Sequence, residues 1–432
     1  MGNNPITDVH EEAFVDMDKN SRLKEIKIYV RKGHAQTYAK SDIWGSGKVK
    51  EINESFITVN VKNDWAEYFP MSPTDASLIN VRSDVTTFVV PERVPEHTDY
   101  KVKLIGDYAF EDCTSNVEEV VVPSNVQLNY VGARAFVKTT KSPAIKSVFF
   151  VNSTTPDLAT SVFDLHDEGV TDNYDEVTDG QTIYVKKSAV KAFKRAWNTL
   201  AEKITYKIPL QMGNVYTTFA REFDTDFSEN NVSKTTLSCP NVIAFTSGWY
   251  VKDQMTENGE LINVLKMRSI NLGDREGDGT YIPAGTGVVL KTMDGPASTQ
   301  NFYYQIHENE LAPYKRANVV RPVTVKSENV APTDGEKTNF IISGGKMHRM
   351  TVTRSIPAHK SYIQIPTADL ENGAKVILEF DSDDHSHNSN AVTGIQEVRQ
   401  SGQEVYHNLQ GQPVSRPRRG IYIKNGKKIV VQ

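Results

Sequence analysis

Apolar and polar positions along this chain alternate in short runs instead of recurring at helical spacing, and some of those runs return at a fixed interval. Leu104-Ile105-Gly106-Asp107-Tyr108-Ala109-Phe110 is followed 26 residues on by Tyr130-Val131-Gly132-Ala133-Arg134-Ala135-Phe136. A reduced third copy ends in Val162-Phe163, 27 residues after Phe136. Between the copies lie strand-like runs that also match: Phe88-Val89-Val90-Pro91, Glu119-Val120-Val121-Val122-Pro123 and Ser147-Val148-Phe149-Phe150-Val151. A period in the twenties predicts stacked units, none of which buries its apolar face alone.

A second, longer-range repetition closes the array. Ile28-Tyr29-Val30 through Tyr38 and Trp44 matches Ile183-Tyr184-Val185 through Phe193 and Trp197, and Ala13-Phe14 corresponds to Val162-Phe163. Each copy reads as a strand followed by a short amphipathic helix. In the second copy Ser188 is expected to cap the helix, and Ala189, Phe193, Ala196 and Leu200 to form its buried face. Lys191, Lys194 and Arg195 fall on the opposite, solvated side. Such a helix covers an edge that would otherwise invite pairing with other chains.

Between the two closing units, alternation at Phe56 to Val61 and at Phe88 to Val90 predicts a β-rich connector over 53–84, broken by Pro70 and Pro73. From about Pro209 the period vanishes. Strands are expected at Val215 to Phe219, Val242 to Phe245, Trp249 to Val251, Ile262 to Met267, Thr286 to Leu290 and Phe302 to Ile306. Four more are expected at Phe340 to Ile342, Met350 to Thr353, Ser361 to Ile365 and Val376 to Phe380. Many short strands without a helical pattern predict a sandwich or barrel. Two phrases recur there, Ile282-Pro283-Ala284-Gly285 and Ile356-Pro357-Ala358-His359, each expected to launch a strand from a proline turn. The polar run 381–390 reads as a linker, and 391–432 as a last β unit, with Asn425-Gly426 marking a tight hairpin.

Composition narrows the function classes. The 432-residue chain is 38% hydrophobic and 24% charged with net charge −5, which gives no basic excess for nucleic acid. No run reaches the length of a membrane span. Cys113 and Cys239 are too few for a disulfide framework, and Cys113, inside the repeat, reads as a small apolar core residue. Residues 1–5 carry no signal-peptide pattern, and the chain is expected to begin partway through its parent.

The Ile-Gly-x-x-Ala-Phe phrase followed by Cys113, the Val-Val-Pro strands and the Ile-Tyr-Val closing unit together resemble the BspA-like leucine-rich repeat proteins, surface and secreted proteins of Bacteroidetes. The resemblance covers 85–208, with a truncated closing unit within 1–52. Residues 209–380 look like a β domain found beside such repeats. The tail, from Asn408-Leu409-Gln410-Gly411-Gln412 to Lys428-Ile429-Val430-Val431, is similar to the C-terminal sorting domains of type IX secretion, with Pro413 where those domains carry a basic residue. The fold class expected on these grounds is mainly β: a short leucine-rich-repeat solenoid with closing helices, an antiparallel β-sandwich and a small C-terminal β module. The resemblance implies a non-enzymatic protein, secreted or on the outer cell surface, that adheres to host extracellular matrix or cell-surface proteins.

The chemistry-bearing residues fit that class. There is no Gly-x-Ser-x-Gly, His-Glu-x-x-His or phosphate loop. No cofactor is expected. Asp274, Glu276 and Asp278 form an acidic turn that lacks the EF-hand spacing for calcium, and His385 and His387 alternate within the linker without the four positioned ligands of structural zinc. Expected binding positions are Glu118, Glu119 and Lys146 on the repeat strands. The other reading is glycan binding through β-domain aromatics, with Trp249 and Tyr303 as stacking residues; a structural spacer is the third.

Overall fold

The computed structural model describes residues 64–110, 113, 116–132, 134–136, 145–158, 162–163, 181–231, 242–256, 259–270, 279–292, 302–370 and 375–380, with isolated strands outside them. Of the described residues 51% are in strands and 9% in helices, and the protein is mainly β. The acidic turn of Asp274, Glu276 and Asp278, as well as Cys239, His385 and His387, lies outside the described residues.

The alternating runs of the repeat form one parallel sheet. Its strands are β1 (Thr87–Val89), β2 (Glu119–Val122), β3 (Ser147–Phe150), β4 (Thr182–Val185) and β5 (Ile204–Thr205), each paired with the next. The register sets Thr87 against Glu119, Glu119 against Ser147 and Ser147 against Thr182. The Gly-x-x-Ala-Phe phrases lie on a second, narrower ladder, in which His97–Ile105 pairs in parallel with Tyr130–Val131 and that strand with Asp157–Leu158. Between the two sheets Phe88, Phe110, Phe136 and Phe163 form a column, with successive ring centroids 5.4, 5.7 and 5.3 Å apart. Gly132 is required by this stacking, because a Cβ there would sit 2.7 Å from the backbone carbon of Gly106. Cys113 is buried, and its Sγ donates to the Val81 carbonyl oxygen at 3.1 Å.

The stretch read as a connector joins the second ladder directly. Ile57–Val61, Asp64–Pro70 and Asp75–Arg82 form an antiparallel meander, and Asp75–Arg82 pairs in parallel with His97–Ile105. Chain reversal at residues 71–74 follows Pro70, as its missing amide hydrogen predicts.

The closing helix departs from expectation at both ends. α1 (Val190–Ala196) is preceded by a 3₁₀ turn at Lys187–Ala189, and no side chain caps it. Ser188 instead donates its hydroxyl to Glu308 at 2.5 Å, while its amide donates to the other oxygen of the same carboxylate at 2.9 Å. Ala196 is exposed; the chain tightens to 3₁₀ geometry after it and turns Trp197 inward in its place. Trp197 then packs on Phe150 and Phe193 and donates its indole N–H to the Pro156 carbonyl.

Beyond Ile208 the strands form further sheets. The central one orders Tyr216–Phe219, Val288–Thr292, β6 (Val242–Met255), β7 (Leu261–Ser269) and Lys375–Phe380. The two strands expected at 242–245 and 249–251 are one, kept continuous through a bulge between Ser247 and Tyr250. Lys375–Phe380 joins β7 in parallel, unlike the antiparallel pairing expected throughout, because the chain crosses over through residues 302–370 before it returns. No strand forms at Met350–Thr353. Gly344 and Gly345, both at positive φ, turn the chain from Lys337–Ser343 straight into Lys346–Arg349, and Val352 is left exposed. In the C-terminal region Gly420–Lys424 pairs antiparallel with Lys427–Val431, with Lys424 opposite Lys427, the spacing of a two-residue turn.

Candidate functional site

Alternation along the repeat sheet decides what its two faces meet. Val120, Val122, Val148, Phe150, Ile183 and Val185 point into the repeat core. Val121, Phe149 and Tyr184 point the other way and share a second core with Ile208, Phe219, Phe223, Leu290 and Tyr304. The face that an isolated repeat array would show to solvent is therefore covered by the β domain. Its outer strand is covered too, since the amides of Thr86 and Thr87 donate to the Val325 carbonyl at 2.9 and 3.0 Å.

At this joint the sequence places four polar groups together. Glu119 stands on β2 on the same face as Val121, and its carboxylate accepts from Arg221 Nη2 at 2.8 Å. The same nitrogen donates to Glu222 Oε1, also at 2.8 Å. The Arg221 guanidinium is buried between two rings, 4.8 Å from the Phe149 centroid and 4.7 Å from that of Phe223. Burial works against its charge, but Glu222, Tyr304 and Glu119 outweigh it and hold the proton more tightly than usual. Burial pushes the Glu222 carboxyl up, against the pull of Arg221.

The fourth group is His359. Its ring nitrogen Nε2 lies 2.8 Å from the Thr87 hydroxyl, 3.5 Å from Glu119 Oε2 and 3.7 Å from Glu222 Oε2. Burial, Arg221 and Lys360 hold the imidazole well below its ordinary value, so it is neutral and these contacts are not ion pairs. The two proline-turn phrases explain how it gets there. Gly285 (φ 68°) and His359 (φ 63°) hold equivalent left-handed positions in the two turns. The turns grip the same segment from two sides: Gly285 N donates to the Arg221 carbonyl at 2.7 Å, and Ala220 N donates to the His359 carbonyl at 3.3 Å. A histidine in this conformation costs on the order of 1 kcal/mol relative to glycine.

The positions singled out in the sequence fall in three places. Glu118 and Lys146 form an exposed ion pair at 2.7 Å across neighbouring repeat strands. Replacing Lys146 by alanine is expected to change stability by less than about 1 kcal/mol in a denaturant titration, because the pair is solvated. Glu119 belongs to the joint and not to the free surface. Tyr303 donates its hydroxyl to Glu229 at 2.6 Å, and Lys207 Nζ lies 4.6 Å from its ring centroid. Trp249, 48% exposed, carries the Arg268 guanidinium 4.4 Å from its ring centroid. Gly248 makes room for that arrangement, since a Cβ there would meet Arg268 Cγ at 3.1 Å. Thr87, Arg221, Glu222 and His359 were not singled out; the readable clue was a histidine where the sister phrase has glycine.

The sequence matches no family profile and no curated protein. Among solved structures, a leucine-rich repeat protein from Bacteroides capillosus is similar at 20% identity with a TM-score of 0.17, covering 30% of this chain and 98% of that one. Among the described residues no helix is long and apolar enough to cross a membrane.

Proposed function

We propose that this chain is a non-enzymatic secreted or cell-surface protein that adheres to a protein partner through the β6–β7 hairpin. The carrying observation is where large apolar side chains stay exposed. Six do so among the described residues: Met71, Tyr130, Trp249, Met255, Leu261 and Val352. Three of these are on this one hairpin, and Met255 and Leu261 are direct cross-strand partners. Met255 and Leu261 form a solvent-facing apolar pair at the turn end of the hairpin, and Trp249 with Arg268 over its ring lies farther along the same ribbon; exposed apolar side chains, tryptophan and arginine are the residue types enriched at interface hot spots. The covered face of the repeat sheet, which takes Glu119 out of reach, supports a binding surface on the hairpin in preference to the repeat strands. On this reading the parallel ladder is a short BspA-like solenoid that serves as a rigid base, the β domain is a layered sandwich, and the tail is a sorting module. Surface location rests on the resemblance in sequence.

The test uses the full chain, because the repeat and the β domain share a core. Binding to arrays of host matrix proteins and glycans is compared for the parent, Trp249→Ala, Met255→Asp with Leu261→Asp, and Lys146→Ala. Protein binding is expected to fall by about 30-fold or more in the first two variants and to hold in the third. Equal binding by all four would sink the hairpin reading. A glycan signal that is lost only with Trp249→Ala would favour the second reading, which the exposure of that residue supports.

A further inference from the structure

The joint holds two carboxylates against one guanidinium, with a neutral imidazole beside them. Arg221 occupies Glu222 Oε1 and leaves Oε2 of the same carboxylate without a hydrogen-bond partner, although that side chain is only 7% exposed. A buried carboxylate oxygen with nothing to accept from is a group waiting for a cation or a proton. It faces a nitrogen donor at 3.7 Å, which in turn is 3.5 Å from Glu119 Oε2. One ligand atom from each of the three residues fits within a 4.8 Å span. Tetrahedral coordination at about 2.0–2.1 Å from a central ion puts neighbouring ligands about 3.3–3.4 Å apart.

We propose that Glu119, Glu222 and His359 form a binding site for a divalent transition-metal ion of the zinc type, which pins the β domain to the repeat sheet. The imidazole selects this class over calcium or magnesium, which take oxygen donors alone. Arg221 then acts as the outer partner, donating to an oxygen of each ligating carboxylate and fixing its direction, a role common around metal sites. The Thr87 hydroxyl lies 2.8 Å from the same His359 nitrogen and 3.2 Å from Glu119 Oε2, between two of the ligand atoms. Entry is open, since the side chains of His359 and Glu119 are each 19% exposed. The site also accounts for the left-handed histidine: metal binding repays a backbone conformation that glycine would adopt without strain.

The 432-residue chain, stripped with a chelator, is titrated with zinc by calorimetry, with cobalt absorption as a second readout. About one equivalent is expected to bind and to raise the thermal midpoint by several degrees. Glu222→Gln is expected to weaken uptake more than about tenfold. His359→Gly installs the residue of the sister turn, so it is expected to fold at least as well without metal and to lose the zinc response. The double variant His385→Ala with His387→Ala is expected to keep that response. No uptake by the parent would overturn the site, as would uptake unchanged in His359→Gly. Uptake lost only in the His385/His387 variant would overturn it as well, by placing the metal in the linker.

Discussion

Arg221→Ala is expected to destabilise the protein by about 3–5 kcal/mol, the largest effect of any single polar substitution in the described core. The guanidinium is buried and lies between Phe149 and Phe223. Its removal leaves Glu222 nine-tenths buried beside Glu119 with no counter-charge, and opens a gap between two rings. Most of the expected loss comes from those stranded carboxylates and not from the net worth of the ion pairs, which desolvation largely cancels. Replacing Arg221, Glu119 and Glu222 together by apolar residues of similar size is therefore expected to recover much of the stability. Chemical denaturation of the single and triple variants checks this. A single-variant loss under about 1 kcal/mol would show that water or a cation already serves the carboxylates.

Phe136→Ala is expected to cost about 3–5 kcal/mol by the same measurement, through a cavity in the middle of the ring column. Phe136 is 1% exposed and touches a ring on either side, Phe110 at 5.7 Å and Phe163 at 5.3 Å between centroids. Stacked units contact only their neighbours, so a gap at the centre uncouples both. A smaller loss from Phe110→Ala than from Phe136→Ala would not trouble the argument, whereas a Phe136→Ala loss matching the solvated Lys146→Ala would.

The ladder was legible because its signals are local and repeated. Gly132, Ala135 and Phe136 each have one stacking task, and the same task recurs at one period, so the phrase survives degradation in its third copy. The single β6 strand was less legible: Gly248 reads as a break, while in three dimensions it accommodates a bulge and the Arg268 side chain. The strand at 346–349 was not legible because Met347 is its one apolar residue, while the alternation that marks a strand falls just after it, at Met350 to Thr353. The joint was illegible for a different reason. Glu119, Arg221 and His359 are far apart in the chain, and period-two alternation makes Glu119 a surface residue on any strand whose outer face is free. Only the shared core of Val121, Phe149 and Tyr184 with the β domain shows that it is not.

The outer face of the repeat sheet has one more consequence, for how such a chain evolves. Arrays of stacked units ordinarily gain and lose copies by slippage in the gene, because an added copy needs only a matching neighbour. Here each of β2, β3 and β4 also contributes a side chain to the β domain's core. An inserted unit would need a new apolar partner there, and a deleted one would leave a hole in that core. The number of copies in this array is therefore set by its neighbour, and insertions among its relatives should fall in the loops between strands while the strand count holds.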